Sequence, residues 1–260
     1  MDGPIAIDQV YGPVGTGYSR AHYVGGRDGV EYVAKGTSFA RKFRHVAANE
    51  IVSAELALLM GLPIPKHRLL TLGKKLFFGS SRVIPSKFHP TIDLELFGRC
   101  ANADQVYELA VFDTWICNVD RHSGNFLVLC SGSVSPGRRT RCDAPEHRMV
   151  LIDHDGSFLP DNRETSFFAS RLSTRISECV KLEFIHRSII ERDRLIRAIS
   201  SVEAISEDDI NNAIASVPGQ LLPPKDRNQW ASFLLDRKGL LRQLFNAERS
   251  LFPWLQKGEI

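Results

Sequence analysis

The sequence has few of the features that mark secreted or membrane-spanning proteins. Its five cysteines are widely spaced and include no C-x-x-C pair, so we expect neither a disulfide framework nor a structural zinc site. No uncharged apolar run approaches the roughly 18 residues that span a bilayer. The first four residues carry neither the basic nor the apolar region of a secretory signal. We therefore expect a cytoplasmic protein whose cysteines are mostly buried thiols.

The chain also lacks a strong excess of charge of either sign. Its 33 Lys and Arg residues against 30 Asp and Glu residues give a formal net charge of +3. A protein that binds duplex nucleic acid through its charge concentrates far more positive charge, so the sequence carries no strong nucleic-acid signal. With 260 residues, 43% hydrophobic and 24% charged, the chain has the composition of a globular protein with one sizeable domain or two lobes.

Residues 1–85 are predicted to form a strand-rich N-lobe. The expected strands are four short β-prone runs, at 18–23, 30–34, 68–72 and 76–84. The first two are joined by the glycine-containing turn 25–29, which is typical of a hairpin. The only helix expected in this lobe covers 47–60, where good helix formers are followed by Gly61.

Residues 86–260 are predicted to form a mainly helical C-lobe. A helix is expected to begin at a cap provided by Asn102 or Asp104 and to run to about Cys117. Two short strands and three further helical patterns follow, at 126–130, 149–152, 181–199, 206–217 and 227–244. The sequence thus predicts a two-lobed α+β protein with the lobe boundary near residues 84–90.

The polar segment between the first C-lobe helix and the strand at 126–130 carries the strongest chemical signal. Asp120 and Asn125 lie five residues apart on a loop, and Asp153 ends a later apolar strand. Phosphoryl transfer from ATP needs a carboxylate at the acceptor hydroxyl. It also needs an amide and a second carboxylate that hold magnesium against the phosphates. These residue types in this order therefore indicate a phosphotransferase.

This pattern resembles the active site of the atypical kinases. Asp120-Arg121-His122 followed by Asn125, and then Ile152-Asp153 with Gly156, is similar to the motifs of phosphatidylinositol 3- and 4-kinases and of HipA-like kinases. The resemblance covers about residues 12–157 and is closest to type II phosphatidylinositol 4-kinases and small HipA-like proteins, of which we choose the HipA-like type. It implies a protein-kinase-like fold with ATP and Mg²⁺ as cofactors.

The resemblance also implies a role for each matching residue. Asp120 matches the catalytic aspartate, Asn125 a metal-binding asparagine, and Asp153 the aspartate that opens the metal motif. The sequence departs from the family pattern at Asp155, which is expected either to contact a second metal or to cap the following turn. His122 is expected either to polarise the site or to orient the loop backbone.

Lys35 ends a predicted strand between a glycine-rich hairpin and a helix, as does the kinase lysine that holds the α- and β-phosphates. Its carboxylate partner is Glu50 or Glu55, which lie on different faces of the helix. The Asn49-Glu50 pair resembles the HipA-like pattern, and we therefore choose Glu50.

Two further segments complete the predicted nucleotide site. Gly15 and Gly17 lie in a loop expected to cover the phosphates, where glycine allows a close backbone approach. Val83 and Ile84 lie where a kinase hinge offers backbone hydrogen bonds to adenine. The resemblance further implies self-phosphorylation of this loop at Ser19 or Thr16, whereas Ser19 alternatively caps a turn.

The function expected from this resemblance is phosphorylation of a Ser or Thr hydroxyl on a protein. A phosphoinositide or other small alcohol is the second acceptor class. The same fold would also suit a nucleotide-binding pseudokinase or an adenylyl transferase. Lys35, Asp120, Asn125 and Asp153 are all present, which favours an active enzyme. An antitoxin-like partner is known for full-length HipA-like toxins, but the sequence does not support assigning one to this chain.

Overall fold

The N-terminal part of the chain is built around a closed five-stranded barrel. The computed structural model describes residues 3–15, 20–36, 45–84, 92–130, 147–159 and 164–260. The barrel strands are β1 (Ile5–Pro13), β2 (His22–Gly26), β3 (Glu31–Lys35), β4 (His67–Leu72) and β5 (Lys75–Ser81). Their order is β1-β2-β3-β5-β4, and β4 closes the barrel by pairing parallel to β1.

Side chains along the barrel strands alternate between the barrel core and the outer face of the barrel. Val24, Tyr32, Leu70 and Phe77 are buried at 2% exposure or less and pack together inside the barrel. Their neighbours along the strands point the other way because successive strand side chains alternate. Lys35 follows this rule and leaves the barrel on its outer face.

One helix, α1 (Val46–Leu59), interrupts the barrel between β3 and β4. Most of its residues are buried, since it contacts β5 on one side and a C-terminal helix on the other. The helix ends before Gly61, whose φ of 67° lies in the left-handed region that glycine adopts without strain. The predicted helix 47–60 is therefore confirmed.

The C-terminal part is mainly helical. Its elements are α2 (Leu94–Gly98), α3 (Val106–Trp115), the hairpin β6 (Phe126–Cys130) and β7 (His147–Leu151), α4 (Phe168–Leu172), α5 (Ile176–Cys179), α6 (Glu183–Ser188), α7 (Arg192–Glu203), α8 (Glu207–Ala215) and α9 (Pro224–Ala247). Short 3-10 turns precede α3, β6 and α4 and follow α9. None of the helices in the described ranges is long and apolar enough to cross a bilayer.

Helices α3 and α9 form the centre of this part. Trp115 at the end of α3 is fully buried, and its Nε1 donates to the carbonyl of Leu234 on α9 at 2.9 Å. Trp230 on α9 is also fully buried, and its ring centroid lies 5.0 Å from that of Phe158. The large aromatic residues of α9 are thus core residues, and they hold the segment that follows β7.

The structure contains one strand that was not predicted, and it divides one predicted helix into two. The strand β1 begins at Ile5, in a region where the sequence predicted no strand, and it reaches into the predicted phosphate loop. The helix expected at 181–199 is two helices, because Tyr107 Oη accepts hydrogen bonds from the backbone N–H groups of Ile190 and Glu191 at 3.2 and 3.0 Å. A tertiary partner thus replaces the helical hydrogen bonds at the break.

The capping prediction also needs correction, whereas the cysteine prediction is confirmed for three residues. Asn102 makes no capping hydrogen bond; its side chain instead donates to and accepts from the backbone of Met149 on β7, each at 3.0 Å. Cys100, Cys117 and Cys179 are free and buried. These three residues agree with the expectation that most of the cysteines are buried thiols.

Candidate active site

A buried lysine with three carboxylates is the central feature of the site. Lys35 Nζ lies 2.5 Å from Glu50 Oε1, 2.6 Å from Asp153 Oδ1 and 3.2 Å from Asp155 Oδ2. Oxygen atoms of the three carboxylates lie within 4.8 Å of one another. This is the donor chemistry that Mg²⁺ prefers, and the group therefore fits a divalent cation.

Three separate elements bring these residues together. Lys35 is the last residue of β3, Glu50 lies in the second turn of α1, and Asp153 and Asp155 follow β7. The chain therefore joins residues 118 positions apart in one hydrogen bond. Glu50, not Glu55, meets the lysine; Glu55 lies on another face of α1 and pairs with His67 at 3.0 Å.

Three carboxyl groups surround the single ammonium group of Lys35, and the pKa values of these carboxyl groups therefore differ. Burial disfavours the charge on Lys35, but the three carboxylates outweigh it and hold its pKa well above the usual range. Burial, together with the charges of Asp153 and Glu50, raises the pKa of Asp155 to about 7 against the opposing effect of Lys35. Burial acts on Asp153 too, but Lys35 outweighs it and lowers the pKa of that carboxyl.

The segment that carries the two aspartates has a strained backbone. Asp153 has a φ of 63°, in the left-handed region that non-glycine residues rarely adopt. Hydrogen bonds hold this conformation from both sides: His154 N–H donates to Glu50 Oε1 at 3.1 Å, and Asn49 Nδ2 donates to the carbonyl of Asp155 at 2.8 Å. Strain maintained by surrounding contacts is common at functional sites.

The loop that follows α3 is held by a second buried ion pair. Arg121 Nε and Nη2 donate to the two oxygens of Asp113 at 2.8 and 3.0 Å, and Asn118 Nδ2 donates to the same carboxylate at 3.0 Å. Arg121 Nη1 also donates to the carbonyl of Ile152 at 2.9 Å, beside Asp153. This network joins the loop to the end of β7 and makes Asp113 a buried anchor of the loop.

Asp120 and Asn125 lie at the two ends of this loop. Asn125 is buried, and its Nδ2 donates to the carbonyl of Asp120 at 2.8 Å. Its own carbonyl accepts from the N–H of Ile152 at 3.0 Å, which brings it next to the Asp153 segment. Asp120 is exposed, and a Cβ built on Gly156 would lie only 2.7 Å from Asp120 Cβ. Glycine at 156 therefore allows the two loops to come close.

His122 lies outside the buried cluster. It is exposed, and its Nδ1 accepts the N–H of Gly124 at 3.1 Å, which caps the 3-10 turn before β6. Of the two roles expected for His122, this contact supports the one that orients the loop backbone.

An apolar cavity of about 220 Å³ adjoins the lysine between the two parts of the chain. Its lining comes from the barrel, from α1 and from the β6–β7 hairpin. The lining residues are Val14, Ala21, Tyr23, Val33, Lys35, Glu50, Ala54, Ile64, Pro65, Phe78, Ser80, Ser81, Val83, Leu127, Leu151, Ile152, Asp153 and His154. Apolar walls with a charged cluster at one end suit a ligand that joins a flat aromatic group to a charged one.

The predicted nucleotide-site segments reach this cavity in part. Val83 lines it, whereas Ile84 is 71% exposed and is not among its lining residues. Gly15 has a φ of 65° at the end of β1, and Val14 N–H donates to the carbonyl of Ala21 at 2.7 Å, which closes the hairpin loop. Gly17, Thr16 and Ser19 lie outside the described residues.

Sequence reasoning missed two contributors to the site. Asn49 was noted only as part of a family pattern, although its amide joins α1 to the backbone after Asp153. His154 was not singled out, although it lies 5.9 Å from the Phe112 ring and its Nδ1 is 3.7 Å from Glu50 Oε2. Both are polar residues beside predicted site residues, and that adjacency is the signal that would have found them.

Comparison with known proteins gives a family and a fold. The family model described as HipA-like kinase matches residues 7–237. The crystal structure of the Helicobacter pylori proinflammatory kinase CtkA is similar, with a TM-score of 0.62 and 15% identity over 96% of this chain and 99% of that chain. No curated protein matches.

A second solved structure is similar to a lesser degree. It is HipA of Shewanella oneidensis MR-1, in a complex with HipB and operator DNA. The TM-score is 0.45 at 12% identity, and the match covers 86% of this chain but only 60% of that HipA chain. The likeness to CtkA shows that the β-rich N-terminal part and helical C-terminal part share a kinase-like arrangement.

Proposed function

The chain belongs to the HipA-like kinase family, and we propose that it transfers the γ-phosphoryl group of Mg-ATP to a Ser or Thr hydroxyl on a protein. The observation that carries this proposal is the contact of Lys35 with Glu50, Asp153 and Asp155 at the end of an apolar cavity. The two parts of the chain are then the lobes of a kinase fold, and the nucleotide lies between them.

In this proposal the base occupies the apolar cavity and the phosphates lie at its charged end. Val33 and Leu151 contribute apolar surface from opposite sides of the cavity, which suits a flat purine. The backbone near Val83 would supply hydrogen bonds to the base. Lys35 would hold the α- and β-phosphates, and Glu50 would orient the lysine, as the 2.5 Å contact supports.

The donor set supports a divalent cation. Asp153, Asp155 and Asn125 would hold Mg²⁺, since carboxylate and amide oxygens are its usual protein ligands. When bound, Mg²⁺ neutralises phosphate charge and fixes the orientation of the phosphates. The raised pKa of Asp155 supports this role, because a carboxyl crowded by like charges gains most from a neighbouring cation.

Asp120 is the group proposed to meet the acceptor. Its side chain is exposed while the rest of its loop is anchored by Arg121 and Asp113. A fixed backbone with an accessible carboxylate suits a group that accepts the proton of an incoming hydroxyl. The hydroxyl oxygen then attacks the γ-phosphorus and ADP leaves. His122 supports the loop and is given no chemical step.

The proposal includes no antitoxin partner. HipB is bound to the Shewanella HipA in its structure, but that match has a TM-score below 0.5 and carries no argument for this chain. A protein acceptor is proposed from family membership, and a phosphoinositide or another small alcohol is the second acceptor class.

Incubation of the purified protein with ATP labelled at the γ- or the α-phosphate tests this function. We expect label from the γ-position on a protein hydroxyl in the presence of Mg²⁺, with the site identified by mass spectrometry. The Asp120→Asn variant should keep ATP affinity and lose turnover by about 10²- to 10⁴-fold, as for a positioned acid–base group.

The Asp208→Asn variant is the matched control, since Asp208 is an exposed aspartate on α8, outside the cavity lining. Transfer of label only from the α-position would instead identify an adenylyl transferase. Nucleotide binding without transfer of either label would contradict the proposed activity and favour a pseudokinase. Normal turnover in Asp120→Asn would remove Asp120 from the mechanism.

A further inference from the structure

Two buried arginines of the helical part have no carboxylate partner among the residues that the structure describes. Arg237 on α9 is 0% exposed and Arg171 on α4 is 6% exposed. Their oxygen acceptors are all backbone carbonyls, those of Thr114, Arg171, Leu172 and Thr174 for Arg237 and those of Cys117, Gly156 and Phe158 for Arg171. Carbonyl dipoles solvate a guanidinium group without cancelling its charge, so the region favours a nearby anion.

Two thiols lie in the same region. Cys117 follows α3, and its Sγ is 3.7 Å from the carbonyl oxygen of Arg171. Cys179 ends α5, and its Sγ is 4.0 Å from Arg237 Nη2. Arg237 Nη1 donates to the same Arg171 carbonyl at 3.2 Å, so one guanidinium group lies beside both sulfurs. Both thiols are 0% exposed and free in this structure.

The surroundings make the two thiols unequal. The hydrogen bond from Cys179 lowers the pKa of Cys117 to about 6 against the effect of burial, and the charges of Arg171 and Arg237 act in the same direction. The same hydrogen bond, together with burial, raises the pKa of Cys179 well above its usual value. At neutral pH Cys117 is then mainly a thiolate. It supplies the negative charge that the carbonyls lack, and the thiolate is the form that reacts with oxidants.

We propose that Cys117 and Cys179 are a redox pair that a peroxide converts into a disulfide. The Cys117 sulfur attacks one peroxide oxygen, the O–O bond breaks, and Cys117 becomes a sulfenic acid. The Cys179 sulfur then attacks the sulfenic sulfur, and the S–S bond forms as the hydroxyl group leaves with the thiol proton as water. In total, two thiols lose two electrons and two protons, and hydrogen peroxide is reduced to two molecules of water.

The position of the pair makes the modification selective and reversible. Both sulfurs are buried, so the peroxide reaches them during local opening of the chain. Cys117 lies where α3 gives way to the loop that carries Asp120, and its φ of 56° is in the left-handed region that non-glycine residues rarely adopt. The two guanidinium groups stabilise the reduced, thiolate form. A disulfide whose reduced form is stabilised in this way is easily reduced again.

Peptide mapping after peroxide treatment tests the inference without requiring nucleotide binding or phosphoryl transfer. The fully reduced, folded protein is treated with hydrogen peroxide at neutral pH, alkylated, and analysed by mass spectrometry without reduction. We expect a peptide pair that joins Cys117 to Cys179, which reduced glutathione separates again. Cys100 is the internal control, because it is also buried but burial raises its pKa to about 11. Cys117 should be oxidised at least about tenfold faster than Cys100, since the thiolate is the reactive form.

A variant and a denatured control sharpen the test. Cys179→Ser removes the second thiol, so Cys117 should accumulate as a sulfenic acid that dimedone labels. In denaturing urea the guanidinium groups no longer surround Cys117, and its advantage over Cys100 should disappear.

The map of the unmodified protein decides the inference even where Cys179→Ser does not fold. Equal oxidation rates of Cys117 and Cys100 in the folded protein would overturn it. Oxidation of Cys117 without a link to Cys179 would overturn the pairing, and a link that resists reduced glutathione would contradict the stabilised thiolate. None of these outcomes bears on the proposed function, which the labelled-ATP experiment tests separately.

Discussion

Two buried clusters of charged side chains lie on either side of the same loop, and they differ in charge balance. On one side of the loop, Arg121 and Asp113 are both 0% exposed. They form a bidentate ion pair, in which one positive charge is matched by one negative charge. On the other side, Lys35 contacts three carboxylates, of which Asp153 retains 31% side-chain exposure toward the cavity.

The difference separates a structural network from a candidate site. The balanced cluster has its groups engaged by one another and by backbone carbonyls such as that of Ile152, which fixes the loop geometry. The unbalanced cluster keeps surplus negative charge that Lys35 does not neutralise, and the pKa of Asp155 is raised to about 7 as a result of burial and of that charge. A surplus of buried carboxylates is costly unless a cation is bound.

Breaking the balanced cluster should have the largest effect on stability. Asp113→Ala leaves Arg121 buried without its partner, which typically costs about 3–5 kcal/mol of unfolding free energy. Urea unfolding monitored by circular dichroism measures this. Arg187→Ala is the matched control, because that arginine makes an exposed pair with Glu183 on α6 and should cost no more than about 1 kcal/mol. Equal losses in the two variants would mean that the buried pair is not a structural anchor.

Removing the ammonium group of Lys35 from the unbalanced cluster should affect ligand binding more than folding stability. Lys35→Met should weaken Mg-ATP binding by about 10- to 100-fold, the worth of a charged hydrogen bond. It should destabilise the protein by about 1–3 kcal/mol, less than Asp113→Ala, because the carboxylates can take up protons. Calorimetry and urea unfolding measure the two quantities. A stability loss larger than that of Asp113→Ala would reverse the comparison.

Removing the negative charge of Asp155 should have the smallest effect on folding stability, and this effect should depend on pH. The pKa of Asp155 is raised from 3.8 to about 7 on folding, so between those values the folded protein binds a proton that the unfolded chain lacks. Its contribution to stability therefore falls as pH rises through this window. Asp153, whose pKa is lowered, changes charge below the window. Asp155→Asn should then gain stability relative to the unmodified protein as pH increases.

Urea unfolding in EDTA at about pH 5 and about pH 8 measures this difference, one condition inside the window and the other above it. Asp208→Asn, on an exposed position of α8, should show no such trend. A stability difference that shrinks with rising pH would contradict the assignment of the surplus charge to Asp155.

The sequence predicted the residues of single motifs better than the contacts between them. The order strand, lysine, helix pointed to Lys35 as a candidate, and the polar loop between a helix and a strand pointed to Asp120 and Asn125; their roles stay predictions. Local patterns carry this information because each motif lies within one turn or one element.

The contacts that depend on tertiary structure could not be predicted in the same way. Asp155 joins Lys35 only because Asp153 adopts a left-handed backbone that Asn49 and Glu50 hold in place. The break before α7 depends on the hydroxyl of Tyr107, more than 80 residues earlier in the chain. No local propensity encodes either feature.

Calorimetric titration of ATP, with and without Mg²⁺, into the unmodified protein and into Asp153→Ala is the most direct test of the central claim that the Lys35 cluster is a Mg-nucleotide site. The claim predicts that Mg²⁺ strengthens ATP binding to the unmodified protein and that this strengthening is lost in Asp153→Ala. Circular dichroism should show both proteins folded. An Mg-ATP affinity that is the same in the two proteins would contradict the claim.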